Sequence, residues 1–208
     1  MKRIASAGVS LLLILLSISV VLILGEVILR MKNSSMKNYD IEMWRYSHEL
    51  KTPSPIRDMD FDHVKSKSAI LQSVEIRLNE WGLRGAPVEP MSEGGRRILF
   101  LGGSATLGWG VAENDTIEAH VEKTLRSRGE TVQVLNGGVG NYNTTRYVSR
   151  FFNNLTELHP TDIVVHSFLR DAEELEPGGG NFLLQSSQLA VTIWIAYHRL
   201  FDKTGAQT

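Results

Sequence analysis

Cysteine is absent from the 208-residue chain. Its absence excludes disulfides, thiolate nucleophiles, thiolate metal sites and a lipoprotein-type anchor, while leaving the compartment open. Neither sign of charge is in excess, with 22 Lys and Arg against 23 Asp and Glu, so nothing in the balance points to nucleic acid. The six histidines are scattered and share no ligand spacing with carboxylates, so neither a metal nor an organic cofactor is expected. No G-x-G-x-x-G occurs. Gly103 and Gly108 keep the four-residue gap of a phosphate loop, but Trp109-Gly110 stands where Lys-Ser/Thr is required, which argues against a nucleotide. Internal repeats are also absent.

What the chain does have is one long apolar run. Ile4 to Gly25 carries no charge and contains a dense Leu/Ile/Val block from Leu11 to Leu24. About 20 such residues cross a bilayer as a helix. A cleaved signal peptide is the rival reading, but its apolar region runs only about 7–15 residues before a small-residue cleavage site. Here the run continues into Gly25-Glu26-Val27-Ile28-Leu29-Arg30 with no A-x-A pattern. The expectation is an uncleaved anchor in the cytoplasmic membrane, with residues 31 to about 95 as a polar stalk and lead-in. Lys2 and Arg3 favour a cytoplasmic start, placing the remainder on the periplasmic or extracellular side; Arg30, Lys32 and Lys37 blunt that asymmetry.

From Arg97 the pattern alternates strand and helix. Ile98 to Leu101 is continuously apolar, as a strand buried on both faces would be, and breaks into Gly102-Gly103-Ser104. Asp115 and Glu118 have capping-box spacing, and Ile117, Val121 and Leu125 form the stripe of a helix that Gly129 ends. Val132 to Leu135 predicts a second strand running into Asn136-Gly137-Gly138-Val139-Gly140. Thr144 or Thr145 caps a second helix ending before Pro160, and Ile163 to Phe168 predicts the third strand. Such alternation implies a parallel sheet with all three following loops at one edge. Ligands bind at that edge. A serine on a tight strand-to-helix turn there can present its hydroxyl and its N–H to one bound atom, although Gly-Gly-Ser is also ordinary turn chemistry. The last apolar segment, Leu189 to Phe201, follows Gly178-Gly179-Gly180. Its uncharged part is too short to span a membrane, so packing in a core or interface is expected.

Three blocks give the chain a resemblance to the SGNH/GDSL hydrolases, over about residues 75 to 200. Asn79-Glu80-Trp81-Gly82-Leu83-Arg84-Gly85 is similar to the lead-in of membrane-anchored members. Leu101 to Gly110 resembles the first block, with Gly103 in place of the usual aspartate. Val134 to Gly140 resembles the second, and Pro160 to Val165 through Arg170-Asp171 the third, with Arg170 replacing an asparagine. The resemblance implies an α/β fold, a flavodoxin-like parallel sheet with helices on both faces, incomplete at its C-terminal end and preceded by one transmembrane helix. It implies Ser104 as nucleophile and an oxyanion hole from the Ser104 and Gly138 N–H groups. Arg170 either donates in place of the asparagine amide or is an exposed loop arginine. The family's Asp-x-x-His block has no match after Ser104. His198, with Asp202 four residues on, is the weak candidate for the base; a packed or exposed residue is the alternative.

The expected organisation is therefore residues 1–30 as anchor or signal, 31–95 as stalk and lead-in, and 96–208 as a partial SGNH-like domain. The expected activity is that of a serine ester hydrolase, or an O-acyl (acetyl) esterase or transferase, acting on an ester or acylated carbohydrate. The alternative is a catalytically inactive, membrane-tethered binding or assembly protein of the same fold. The acidic run Asp171, Glu173, Glu174, Glu176 is expected to be a solvated loop, and the N-x-S/T matches at Asn33, Asn114, Asn143 and Asn154 carry little weight.

Overall fold

The computed structural model describes residues 2–33, 39–172 and 182–201. The chain forms two units, Glu42–Gly178 and Met1–Ile41 with Gly179–Thr208. In the first unit the apolar run around Ile98 becomes the central strand of a three-stranded parallel sheet. In chain order the elements are helix α1 (Lys2–Asn33), α2 (Tyr39–Leu50), strands β1 (Lys51–Pro53), β2 (Phe61–His63), β3 (Lys67–Leu71), β4 (Val74–Leu78) and β5 (Arg96–Gly102). There follow α3 (Ser104–Leu107), α4 (Ile117–Ser127), β6 (Val132–Gly138), α5 (Thr144–Arg150), β7 (Asp162–His166), α6 (Phe182–Ser186) and α7 (Gln188–Phe201).

The strand order is β6-β5-β7. Ile98 pairs with Val134 and Asp162, and Gly102 pairs with Gly138 and His166. All three strands thus end level, and their following loops share one edge. Alternate residues of β5 feed two cores. Ile98 and Phe100 pack with Val132 and the Val121–Leu125 stripe of α4. Leu99 and Leu101 pack on the opposite face with Tyr147, Leu155 and Leu158. Burying each such side chain contributes about 1.5–3 kcal/mol. Helices therefore cover both faces, as expected. β7 is an edge strand among the described residues, with Ile163, Val164 and Val165 exposed.

Residues 42–95, expected as stalk and lead-in, carry regular structure. β1 pairs with β2 and β3 with β4, both antiparallel. Ala69, Leu71, Ile76 and Leu78 of the second hairpin form a third core with Tyr46, Leu50 and Leu107. Its two-residue turn, Gln72-Ser73, has φ of 52° and 64°, the left-handed geometry that two-residue hairpins demand. Non-glycine residues hold it there while the Gln72 N–H donates to Glu42 Oε2 at 2.7 Å. Bridges from Leu78 to Arg84 and from Arg84 to Asn136 join this hairpin to β6. Two caps differ from expectation. Thr116, not Asp115, caps α4 by accepting from the Ala119 N–H, because Asp115 is taken into a 3-10 turn. Asn143, not Thr144 or Thr145, caps α5 by accepting from the Arg146 N–H, Asn being the stronger capping residue.

Arg150 is fully buried at the end of α5. Its Nη1 donates to Gly137 O at 3.0 Å and its Nη2 to Gly82 O at 2.9 Å, while Nε pairs with Asp62 at 2.7 Å. One planar fork thus joins the lead-in, β2 and β6. Arg150→Ala is expected to destabilise the fold by about 3–5 kcal/mol, the cost of breaking a buried ion pair. Arg150→Lys should recover little of it, because an ammonium cannot reproduce the fork; urea denaturation of the three proteins checks both.

Candidate active site

Ser104 is exposed and is the first residue of the four-residue helix α3, one residue beyond Gly103 and two beyond the end of β5. Its hydroxyl makes no hydrogen bond among the described residues. Backbone packing forces the turn. A Cβ on Gly102 would lie 2.2 Å from Thr106 Oγ1 and 2.8 Å from His166 O, and one on Gly138 would lie 2.1 Å from Leu107 N. The strand ends therefore touch α3 directly, with no room for side chains.

The loop after Ser104 is held by a residue that sequence reasoning did not single out. Arg84 is buried, and its Nη1 donates to Leu107 O and Gly108 O at 2.7 Å each. Its Nη2 donates to Val111 O at 2.6 Å and Glu75 O at 3.3 Å. Burial lowers the Arg84 pKa, against the charges of Glu113 and Glu118, yet a guanidinium remains charged. One side chain from the lead-in thus donates to three carbonyls at the end of α3 and in the loop after it, of which Gly108 O also accepts the Val111 N–H, and to one carbonyl of β4.

Asn136 ties the second loop to the first. Its Nδ2 donates to Thr106 O at 2.7 Å and Glu118 Oε2 at 3.0 Å. Its Oδ1 accepts the Gly138 N–H at 3.0 Å, so the donor expected for the oxyanion hole already has a partner. The next two N–H groups are also engaged, Val139 with Gly102 O and Gly140 with the Tyr46 hydroxyl. Asn141 follows, with φ of 64°, and its N–H has no partner among the described residues.

The third loop begins with the 3-10 turn Leu169–Ala172, which contains Arg170 in its backbone; the Arg170 side chain lies outside the described residues. Asp171 Oδ2 accepts from the Phe168 N–H at 2.9 Å and from the Tyr147 hydroxyl at 3.4 Å. Glu173, Glu174, Glu176 and the triple glycine lie outside the described residues. His166 ends β7 at this edge, its Nδ1 3.3 Å from Thr106 Oγ1. His198 belongs to the other unit, on α7, its ring 4.2 Å from that of Trp194 and 5.6 Å from that of Tyr197; Asp202 is outside the described residues. Among the described residues no histidine is bonded to Ser104, and no cluster of His, Asp and Glu suits a metal.

No family model and no curated protein matches the chain. Among solved structures it is similar to AlinE4, described as an SGNH-hydrolase family esterase. Identity is 28%, covering 36% of this chain and 41% of that one, with a TM-score of 0.32. A serine-to-alanine mutant of the same esterase gives 26% identity, 36% and 40% coverage and a TM-score of 0.31. The chain thus spans about two fifths of that esterase.

Two titratable groups lie near the loops, Lys51 half-buried and Glu118 buried. The Lys51 ammonium donates to Gly140 O at 2.7 Å, over the Phe61 ring; burial, with the nearby Arg146 charge, lowers its pKa to about 7. Glu118, buried beside Asn136, is raised by burial from 4.5 to about 7, against the Arg84 charge. Glu118 thus keeps its proton in the folded protein to higher pH than in the unfolded chain. Folding stability is therefore lost as pH rises from 4.5 to about 7, by about 3 kcal/mol in total. Glu118→Gln should remove that loss, so the variant exceeds the parent in stability at pH 8 and the advantage shrinks by pH 5. Urea midpoints at the two pH values check it.

Proposed function

We propose that the Glu42–Gly178 unit is the nucleophile-bearing part of an SGNH-type serine ester hydrolase, or O-acyl (acetyl) transferase, for acylated carbohydrate. In this reading α1 anchors it to the cytoplasmic membrane with the α/β unit on the periplasmic or extracellular side. The observation that carries the reading is the exposed, unpartnered Ser104 hydroxyl at the carboxyl end of the central strand, with the β6 and β7 loops at the same edge. The three sequence blocks add to it independently.

In the reaction Ser104 Oγ bonds to the ester carbonyl carbon and gives up its proton to a base. The tetrahedral intermediate then breaks its bond to the alcohol oxygen, which takes the proton back from the base and leaves as neutral alcohol, and the acyl-serine that remains is cleaved by water or an acceptor hydroxyl. The oxyanion is met by the Ser104 N–H and by the Gly138 N–H shared with Asn136; the resemblance adds Arg170 as a third donor, with an exposed loop arginine as the alternative. Each such donor is worth about 2.7–4 kcal/mol of barrier. Arg84 is a positioning residue, since it fixes the loop and not the reacting atoms.

The second reading, a binding or assembly protein without activity, is favoured by one observation: no histidine of the Glu42–Gly178 unit is hydrogen-bonded to Ser104 among the described residues. A fluorophosphonate probe and p-nitrophenyl acetate separate the two on the detergent-solubilised chain and on Ser104→Ala. The hydrolase reading expects the probe on Ser104 and turnover that disappears in Ser104→Ala. An unlabelled Ser104, with turnover the same in both proteins or absent from both, overturns it in favour of the binding protein.

A further inference from the structure

Helix α1 contains a 25-residue stretch, Val9–Asn33, long and apolar enough to cross a membrane. The side chains from Val9 to Leu24 are all exposed. Within the same unit the start of α7 docks on the last two turns of α1. Glu26 Oε2 accepts from the Leu189 N–H at 2.9 Å and the Ser187 hydroxyl at 2.8 Å, and Oε1 from the Gln188 N–H at 3.0 Å. Arg30, which also pairs with Glu26, donates to Ser186 O at 3.1 Å, and Asn33 Nδ2 donates to Gln188 Oε1 at 3.0 Å. A carboxylate so placed satisfies the first N–H groups of a helix and complements its dipole. Because Val9 to Leu24 stay uncovered, α7 meets α1 only at its carboxyl end and does not run back along it.

Beyond this dock α7 turns outward the apolar side chains Ile193, Trp194, Tyr197, Leu200 and Phe201, each about half exposed or more. Depth then follows from the length of α1. About 20 residues span the hydrocarbon core, and the uncharged run from Ile4 to Gly25 supplies them, ending one residue before Glu26. Glu26 to Asn33 lie where headgroups begin, and α7 is fixed at that level. Trp and Tyr concentrate at this depth, and an apolar-faced helix there inserts about 5–10 Å into the boundary of headgroups and chains. We propose that α7 is an interfacial helix whose Ile193–Phe201 face inserts into the phospholipid leaflet at the carboxyl end of α1, giving the chain a second membrane contact. The inference rests on the reading of α1 as a membrane anchor.

Because the chain lacks cysteine, single cysteines can carry nitroxide labels without further changes. Leu16→Cys, Ile193→Cys, Leu200→Cys and Lys123→Cys are reconstituted separately in vesicles of phosphatidylcholine and phosphatidylglycerol. Collision with oxygen is compared with collision with a water-soluble nickel chelate. The expected result is a deep Leu16→Cys label and shallow lipid exposure, with oxygen dominant, at Ile193→Cys and Leu200→Cys. Lys123→Cys, on exposed α4, should report water. A lipid-buried Leu16→Cys with chelate-dominated labels on α7 overturns the interfacial helix and leaves the anchor intact. Labels on α7 shielded from both reagents mean that protein covers the face, and also overturn it. A Leu16→Cys label open to the chelate removes the anchor and the inference together.

Discussion

A guanidinium bonded to backbone carbonyls is the interaction on which the α/β unit depends. Carbonyls at the end of α3 and in the loop after it, of the lead-in, of β4 and β6 and of the segment before β7 meet arginine donors, and a buried carbonyl is costly unless something donates to it. Arg84 supplies donors to four carbonyls, Arg150 to Gly82 and Gly137, and Arg97 to Leu158 and Glu89 at 2.5 Å each. Five fixed N–H groups per side chain make arginine suited to this work, where lysine offers only a mobile point charge. In a chain without disulfides, these contacts join segments that are distant in sequence.

The arrangement makes the edge of the sheet a single mechanical piece. Asn136 joins β6, α3 and α4 through Gly138, Thr106 and Glu118, and Arg84 joins α3 to the β3–β4 hairpin. Ser104 stands on a helix of only four residues whose neighbours are held by these contacts, while its own hydroxyl is exposed.

The three sheet strands, the α4 stripe and the place of Ser104 were legible because each is a local pattern: an apolar run, a four-residue period, glycines after a strand. The β3–β4 hairpin was not, since Gln72-Ser73 lacks the Asn-Gly signature that announces such a turn. Asp115 and Thr116 are adjacent capping residues, and only the 3-10 turn decides between them. Arg84 and Arg150 read as two ordinary charges in the sequence; their partners are carbonyls tens of residues away, which no composition or period encodes. The Gly138 donor shows the same limit, because its engagement depends on how the Asn136 side chain turns.

The docking of α7 onto α1 also closes a long loop of chain. Arg30 and Ser186 are separated by 156 positions, and Glu26 and Leu189 by 163, with the whole Glu42–Gly178 unit between them. Folding that unit first contracts the intervening chain and lowers the entropy cost of bringing the ends together. Glu26 has a near partner in Arg30, one turn away, and a distant one in the start of α7. The contact between α1 and α7 therefore closes at a lower entropy cost after the intervening unit has folded than before it.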